Sequence, residues 1–228
     1  MSQKAMVFID GGWLYRSRMT LFAKLGQENF EIDYARLPRV FCEDVANALD
    51  EDISLVRTNY FGTIPSSRSG FNTSKQYAFY DFLESACGYE TDIHEVDVGT
   101  EENWIKMSLA ATMLFYAAQP GAFDIAVLIG DDPDYAPALR RLRLMGKRVQ
   151  IVGARIDGKS VNPVGTLNGR HRVADFPMLW LEDHAAEVRL VRERVTRACK
   201  QCGREEETTW AGPEFFCSDC RGRYRGNA

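Results

Sequence analysis

Apolar and polar positions fall in blocks along this chain. Ala5-Met6-Val7-Phe8-Ile9 is a continuous apolar run that stops at Asp10-Gly11-Gly12. Such a run suits a strand buried on both faces that delivers a carboxylate to the sheet edge. Helical periodicity follows over 13–25 and 34–49. Strand patterns at 53–63 and 89–98 flank a helix over 74–86, whose apolar side is Tyr77, Tyr80, Phe82 and Leu83; residues 64–73 are turn-rich and read as a loop. A long helix over 101–118, opened by Glu101 and Glu102 as its dipole favours, is stopped by Gln119-Pro120-Gly121. The strand 124–129 ends in Gly130-Asp131-Asp132-Pro133-Asp134, where Asp132 suits an N-cap and Pro133 the first helical position. That helix runs to Met145, and Gly146 precedes a strand over 147–152. A glycine-rich basic loop spans 153–172, followed by an extended piece over 176–181. Leu190, Val191 and Val195 give 184–198 a helical stripe.

Strands alternating with helices predict an α/β fold, a central parallel sheet with helices on both faces. Such sheets place their sites at the carboxyl ends of strands. The expected organisation is an α/β domain over 1–183, a linker helix over 184–198, and a small cysteine module with a basic tail over 199–228. The length of 228 residues accommodates this, and 45% hydrophobic with 26% charged residues excludes a disordered or collagen-like chain. No apolar run reaches the roughly 18 residues of a membrane span, and the first residues lack the pattern of a secretory leader, so a cytoplasmic location is expected.

The net charge of -4 conceals an asymmetry. Residues 1–139 carry 10 Lys and Arg against 21 Asp and Glu; residues 140–172 carry 9 against 1. A compact basic stretch is a candidate polyanion-binding face, with plain solvated surface as the alternative. Its candidate contacts are Arg140, Arg143, Lys147, Arg148, Arg155, Lys159, Arg170 and Arg172. If they surround an acidic site they would grip phosphates, and binding would be steeply salt-dependent.

Cys42 and Cys87 sit in apolar contexts and read as buried free thiols. Cys199, Cys202, Cys217 and Cys220 form two CxxC pairs 14 residues apart, the pattern of two knuckles around one tetrahedral zinc. Two disulfides or an iron–sulfur cluster are the rivals. Trp210, Phe215 and Phe216 are expected to pack around that site, and the tail Arg221-Gly222-Arg223-Tyr224-Arg225 has a composition suited to single-stranded RNA. None of His94, His171 and His184 is assigned as a metal ligand.

Asp10, Asp131, Asp132 and Asp134 converge if both of their strands are central. Clustered carboxylates imply a bound Mg2+ or Mn2+, or raised pKa values. Oxygen ligands around such an ion are a common means of phosphodiester hydrolysis. Asp132 reads first as a cap, whereas Asp10 and Asp131 have no comparable local task and are the stronger site candidates.

Phe8-Ile9-Asp10-Gly11-Gly12-Trp13-Leu14-Tyr15 resembles the opening motif of NYN domains, members of the PIN-like nuclease superfamily. Phe123–Asp131 resembles that family's strand with its terminal Gly-Asp, and the run from Asp134-Tyr135-Ala136-Pro137 to Gly146-Lys147-Arg148-Val149 follows its pattern. The resemblance covers about residues 5–183. It implies a Rossmann-like PIN fold and metal-dependent RNA cleavage, with Asp10, Asp131 and Asp134 at matching positions. Two departures stand out. The acidic turn is one residue longer than usual, and Lys106 stands where a carboxylate is expected. Lys106 would pair with Asp10 or Asp131 and displace the metal, or Glu102, one turn earlier on the same face, would supply the missing ligand. The leading expectation is therefore a metal-dependent ribonuclease. The rival is a catalytically silent RNA-binding or scaffold protein of the same fold; a nucleotide- or phosphate-processing enzyme is weaker, since no glycine-rich cradle follows the first strand. RNA is the expected partner and DNA a second, with no membrane role; self-association is left open.

Overall fold

The computed structural model describes residues 2–24, 26, 30–66, 72–97, 101–155, 172–192, 194–210 and 212–225. Within them the chain forms two compact units, Met1–Arg189 and Leu190–Ala228.

The first unit is built on a six-stranded parallel sheet: β1 (Gln3–Asp10), β2 (Ile53–Pro65), β3 (Glu90–Val96), β4 (Ile125–Ile129), β5 (Arg148–Gly153) and β6 (Leu179–Trp180). Their order is β3-β2-β1-β4-β5-β6. The chain winds outward from β1 in one direction and from β4 in the other, so the topological switch falls between β1 and β4. Every residue from Ala5 to Asp10 and from Ile125 to Ile129 is buried. Val7 and Ile9 face a core shared with α1 (Gly11–Lys24), α2 (Leu37–Leu49) and α3 (Ser74–Ser85). Met6 and Phe8 face the opposite core, shared with α4 (Glu101–Ala118) and α5 (Ala136–Leu144). Burial on both faces is why these two strands read as unbroken apolar runs.

Element bounds differ from the sequence pattern at a few ends. The first helix starts at Gly11 rather than residue 13, because Asp10 caps it. The second starts at Leu37, where Pro38 occupies the first turn. A short 3-10 turn, Pro133–Tyr135, precedes α5. The expected linker helix over 184–198 is not formed. Residues 181–187 form turns and Val188 is buried; Arg189 bridges antiparallel to Ile32. The chain then enters strand β7 (Val195–Ala198). Of the stripe that suggested a helix, Leu190 is half-buried while Val191 is 77% exposed and Val195 46%.

In the second unit, β7 pairs antiparallel with β8 (Glu205–Thr208), and α6 (Ser218–Arg225) closes the segment. Among the described residues its buried core holds Cys199, Phe215, Cys217 and Cys220, with Phe216 packed against them. Phe215 and Phe216 thus pack as expected, but Trp210 stays 52% exposed and donates its indole N–H to the Glu214 carbonyl at 2.7 Å.

Candidate active site and cysteine cluster

Parallel strands end at a common edge, so β1 and β4 bring Asp10 and the Gly130-Asp131 turn side by side. Gly130 has a φ of +149°, and a Cβ there would lie 3.2 Å from the Asp10 Cβ. Asp10 and Asp131 are both almost fully buried. The Trp13 amide donates to Asp10 Oδ1 at 2.8 Å, and the Trp13 indole Nε1–H donates to Asp131 Oδ1 at 2.5 Å. Tyr135 donates its hydroxyl to Asp10 Oδ2 at 2.7 Å, and the Ala154 amide donates to Asp131 Oδ2 at 3.3 Å. One tryptophan therefore touches both acids. Asp10 does have a local task after all: its bond to Trp13 N–H is an N-cap on α1.

Burial raises the Asp10 carboxyl above its ordinary range. The Trp13 amide, the Tyr135 hydroxyl and nearby Arg16 oppose this but do not cancel it. Tyr135 is pushed up in turn by its own burial and by Asp10. A buried carboxyl of this kind is poised to gain a proton or a cation.

Lys106 does not pair with Asp10 or Asp131. Its Nζ lies 2.7 Å from Asp132 Oδ2 and 2.8 Å from Asp134 Oδ2. The direction of α4 explains this: Ile105 packs toward Gly12 at the start of α1, and Lys106 reaches sideways over the 3-10 turn. Asp132 also caps that turn, accepting from the Asp134 amide at 2.9 Å. Desolvation pulls the Lys106 ammonium down, but the two carboxylates outweigh it and hold it above its ordinary range. Asp134 is held by Lys106 and its side chain is 71% exposed. The side chain of Glu102 lies outside the described residues. Among those residues, Asp10, Asp131 and Asp134 do not converge tightly enough to form a three-ligand group.

The basic stretch is divided along the sheet. Arg155 sits at the carboxyl edge, one residue beyond Ala154, in a two-pronged ion pair with Asp183 at 2.7 Å. Arg148 opens β5 opposite Ile125, which pairs with Ala5, so it lies about 16 Å from Asp10 along the sheet at roughly 3.3 Å per strand residue. Lys147 donates to the Phe123 carbonyl at 2.6 Å. Arg143 pairs with Asp175, and Arg172 donates to the Ala174 and Asp175 carbonyls. Asp175 in turn accepts from the Val149 amide at the start of β5. Arg140 donates to the Ala136 carbonyl one turn back on α5. Lys159 and Arg170 lie outside the described residues. Of the described basic candidates, Arg155 is the one beside the acids. Arg16, near Asp10, is the cation that charge counting along the chain missed. Trp13 and Tyr135 were also missed, although their offsets from Asp10 and Asp134 carry the cap and turn geometry.

In the second unit the sulfurs of Cys199, Cys202, Cys217 and Cys220 lie within 4.8 Å of one another. The Arg204 carbonyl accepts from Cys199 N–H, and Gly203 N–H returns to the Cys199 carbonyl at 2.9 Å, closing the first knuckle. Amide donors, Cys217 first, hold the Cys199 thiol below its ordinary range, whereas hydrogen bonding to the other sulfurs, Cys217 first, raises Cys220. Four soft sulfur donors at this spacing are compatible with a tetrahedral zinc site. Cys42, by contrast, is an inert buried thiol pushed up to about 12 by desolvation.

A doubly wound parallel sheet with two acids at its switch point is a Rossmann-like arrangement. The family model for the NYN domain matches residues 4–164, and the chain belongs to the NYN domain family. In structure it is similar to a protein of unknown function from Vibrio parahaemolyticus, at 15% identity and a TM-score of 0.54; the match covers 83% of this chain and 97% of that one. That likeness supports the fold alone. No curated protein matches the chain in sequence. No helix among the described residues is long and apolar enough to cross a membrane.

Proposed function

We propose that this protein is a metal-dependent ribonuclease that hydrolyses RNA phosphodiester bonds at the β1–β4 switch point. The observation that carries the reading is the buried pair Asp10 and Asp131, set on adjacent strand ends and spanned by Trp13. The donor set fits Mg2+ or Mn2+, which proteins commonly hold with one or two carboxylates while water and substrate phosphate supply the rest. Asp10, whose burial disfavours a bare charge, gains most from such an ion. When bound, the ion would polarise a phosphoryl oxygen and lower the pKa of water. Tyr135 and Trp13 hold the carboxylates in place, and Arg16 and Arg155 stand where phosphates would arrive. Asp134 joins the shell only if Lys106 releases it, and Glu102 is the other candidate for that role. The four cysteines hold a structural Zn2+, RNA is the partner and DNA the second choice, and the cytoplasm is the proposed location.

One observation favours a second reading. Lys106 already neutralises Asp132 and Asp134, as it would in a silent RNA-binding or scaffold protein.

The test incubates wild type, the double variant Asp10→Asn/Asp131→Asn, and Lys106→Ala with single-stranded and structured RNA, in Mn2+, Mg2+ or chelator. Metal-dependent cleavage by wild type, lost in the double variant, is the expected result. RNA binding without cleavage by wild type would favour the silent protein, and cleavage gained in Lys106→Ala would identify the lysine as the cause. Equal cleavage by wild type and the double variant would place the chemistry elsewhere.

A further inference from the structure

We propose that Trp13 is a positioning residue that sets the affinity of the Asp10–Asp131 pair for a divalent cation, and that its indole reports occupancy of that site. This rests on the reading of Asp10 and Asp131 as the cation-holding pair. Trp13 bonds to each acid: its amide fixes Asp10 Oδ1 and its indole N–H fixes Asp131 Oδ1. The ring is 9% exposed and packs in the α1-side core, so it is a rigid strut.

Each acid has a second donor on its other oxygen, Tyr135 for Asp10 and the Ala154 amide for Asp131. Those two donors come from different elements and fix each carboxylate separately. Trp13 relates one carboxylate to the other, holding an oxygen of each with two donors of a single residue. A cation that needs both acids gains from that fixed relation. Partners that orient metal ligands without touching the ion are commonly worth 10–100-fold in metal affinity. Phenylalanine at this position keeps an aromatic ring and the amide bond to Asp10 but removes the indole N–H along with part of the ring volume, so melting temperature and Mn2+ affinity are read side by side.

The experiment uses the zinc-replete full chain. Free Mn2+ is followed by its paramagnetic resonance signal for wild type, Trp13→Phe and the Asp10→Asn/Asp131→Asn double variant. A chain with Trp104, Trp180 and Trp210 changed to phenylalanine leaves Trp13 as the only tryptophan, so its emission can be titrated with Mn2+. The expected result is a wild-type site that the double variant lacks and that Trp13→Phe binds at least tenfold more weakly. Saturable quenching of Trp13 with the wild-type midpoint is expected alongside it. A purely structural tryptophan would lower the melting temperature of Trp13→Phe in chelator and leave Mn2+ affinity unchanged; that result overturns the proposal and leaves the ribonuclease reading standing. If the double variant binds Mn2+ as wild type does, both fall. Should Trp13→Phe fail to fold, the single-tryptophan chain decides: no saturable quenching overturns the proposal.

Discussion

Replacing Asp10 by Asn should stabilise the protein in the absence of divalent cations and remove its response to them. The carboxylate is buried, its charge opposed first by desolvation, and two donors converge on it from Trp13 and Tyr135. Asparagine preserves the geometry: its carbonyl accepts the Trp13 amide, and the Tyr135 hydroxyl rotates to accept from its NH2. The cap on α1 also survives, since Asn and Asp cap equally well. What disappears is the buried charge. Relief of strain at a site of this kind typically contributes about 0.5–2 kcal/mol. For a chain of this size that corresponds to a rise in melting temperature of roughly 2–4 °C per kcal/mol. The sign of the pH dependence follows from the raised folded pKa. Wild type has the stability of a neutral Asp10 in full below the ordinary value of 3.8, and loses it as pH rises through the higher folded value. The advantage of Asp10→Asn is therefore greatest at neutral and alkaline pH and shrinks on acidification through that window. Added Mn2+ should reverse the ranking, since binding to the native state alone contributes about 2.7 kcal/mol at 100 times the dissociation constant. Thermal melts from pH 4 to 8, in chelator and in Mn2+, check each step. An Asp10→Asn protein less stable than wild type in chelator at pH 8, or an advantage that grows on acidification, would refute the reasoning.

Gly153→Ala should destabilise the first unit by about 1–3 kcal/mol. The new Cβ would lie 2.2 Å from the flexible end of Met178 and 2.7 Å from Asp131 Oδ2, so a melt and a Mn2+ titration should both register it. Lys106→Met removes two ion pairs, one of them to the well-exposed Asp134, and should cost only about 0–1 kcal/mol. Because Lys106 titrates above its ordinary value of 10.5, that difference should stay level from pH 7 to 9 and fade only as pH rises through the folded value. Stripping the proposed zinc with a strong chelator, or Cys217→Ser, should unfold the second unit, whose buried core is mostly cysteine, and hydrogen exchange at the β7–β8 amides will show it.

Much of the architecture was legible because its signals are local. Two double-buried strands announce themselves as apolar runs ending in Asp10 and in Gly130-Asp131, and two CxxC pairs announce a cluster. Readings failed where spatial neighbours decide. Leu190, Val191 and Val195 have helical spacing, but Val191 stays exposed and β8 gives Val195 a strand partner. Arg148 and Arg155 are close in sequence, yet β5 carries one to each end of the sheet. The partner of Lys106 depends on the direction of α4, which periodicity does not encode. The link from Trp13 to Asp131 joins residues 118 apart in sequence, and only closure of the β1–β4 pair reveals it.

The cap that Asp10 places on α1, beside the cation role proposed for it, bears on how relatives of this chain should be read. Folding alone asks only for a capping side chain at position 10 and, with no cation to hold, it favours asparagine over the buried charge. Asparagine meets the helix's need and not the reaction's. Drift from Asp to Asn at position 10 would therefore mark lineages that have given up cleavage, and it would do so before any visible decay of the fold.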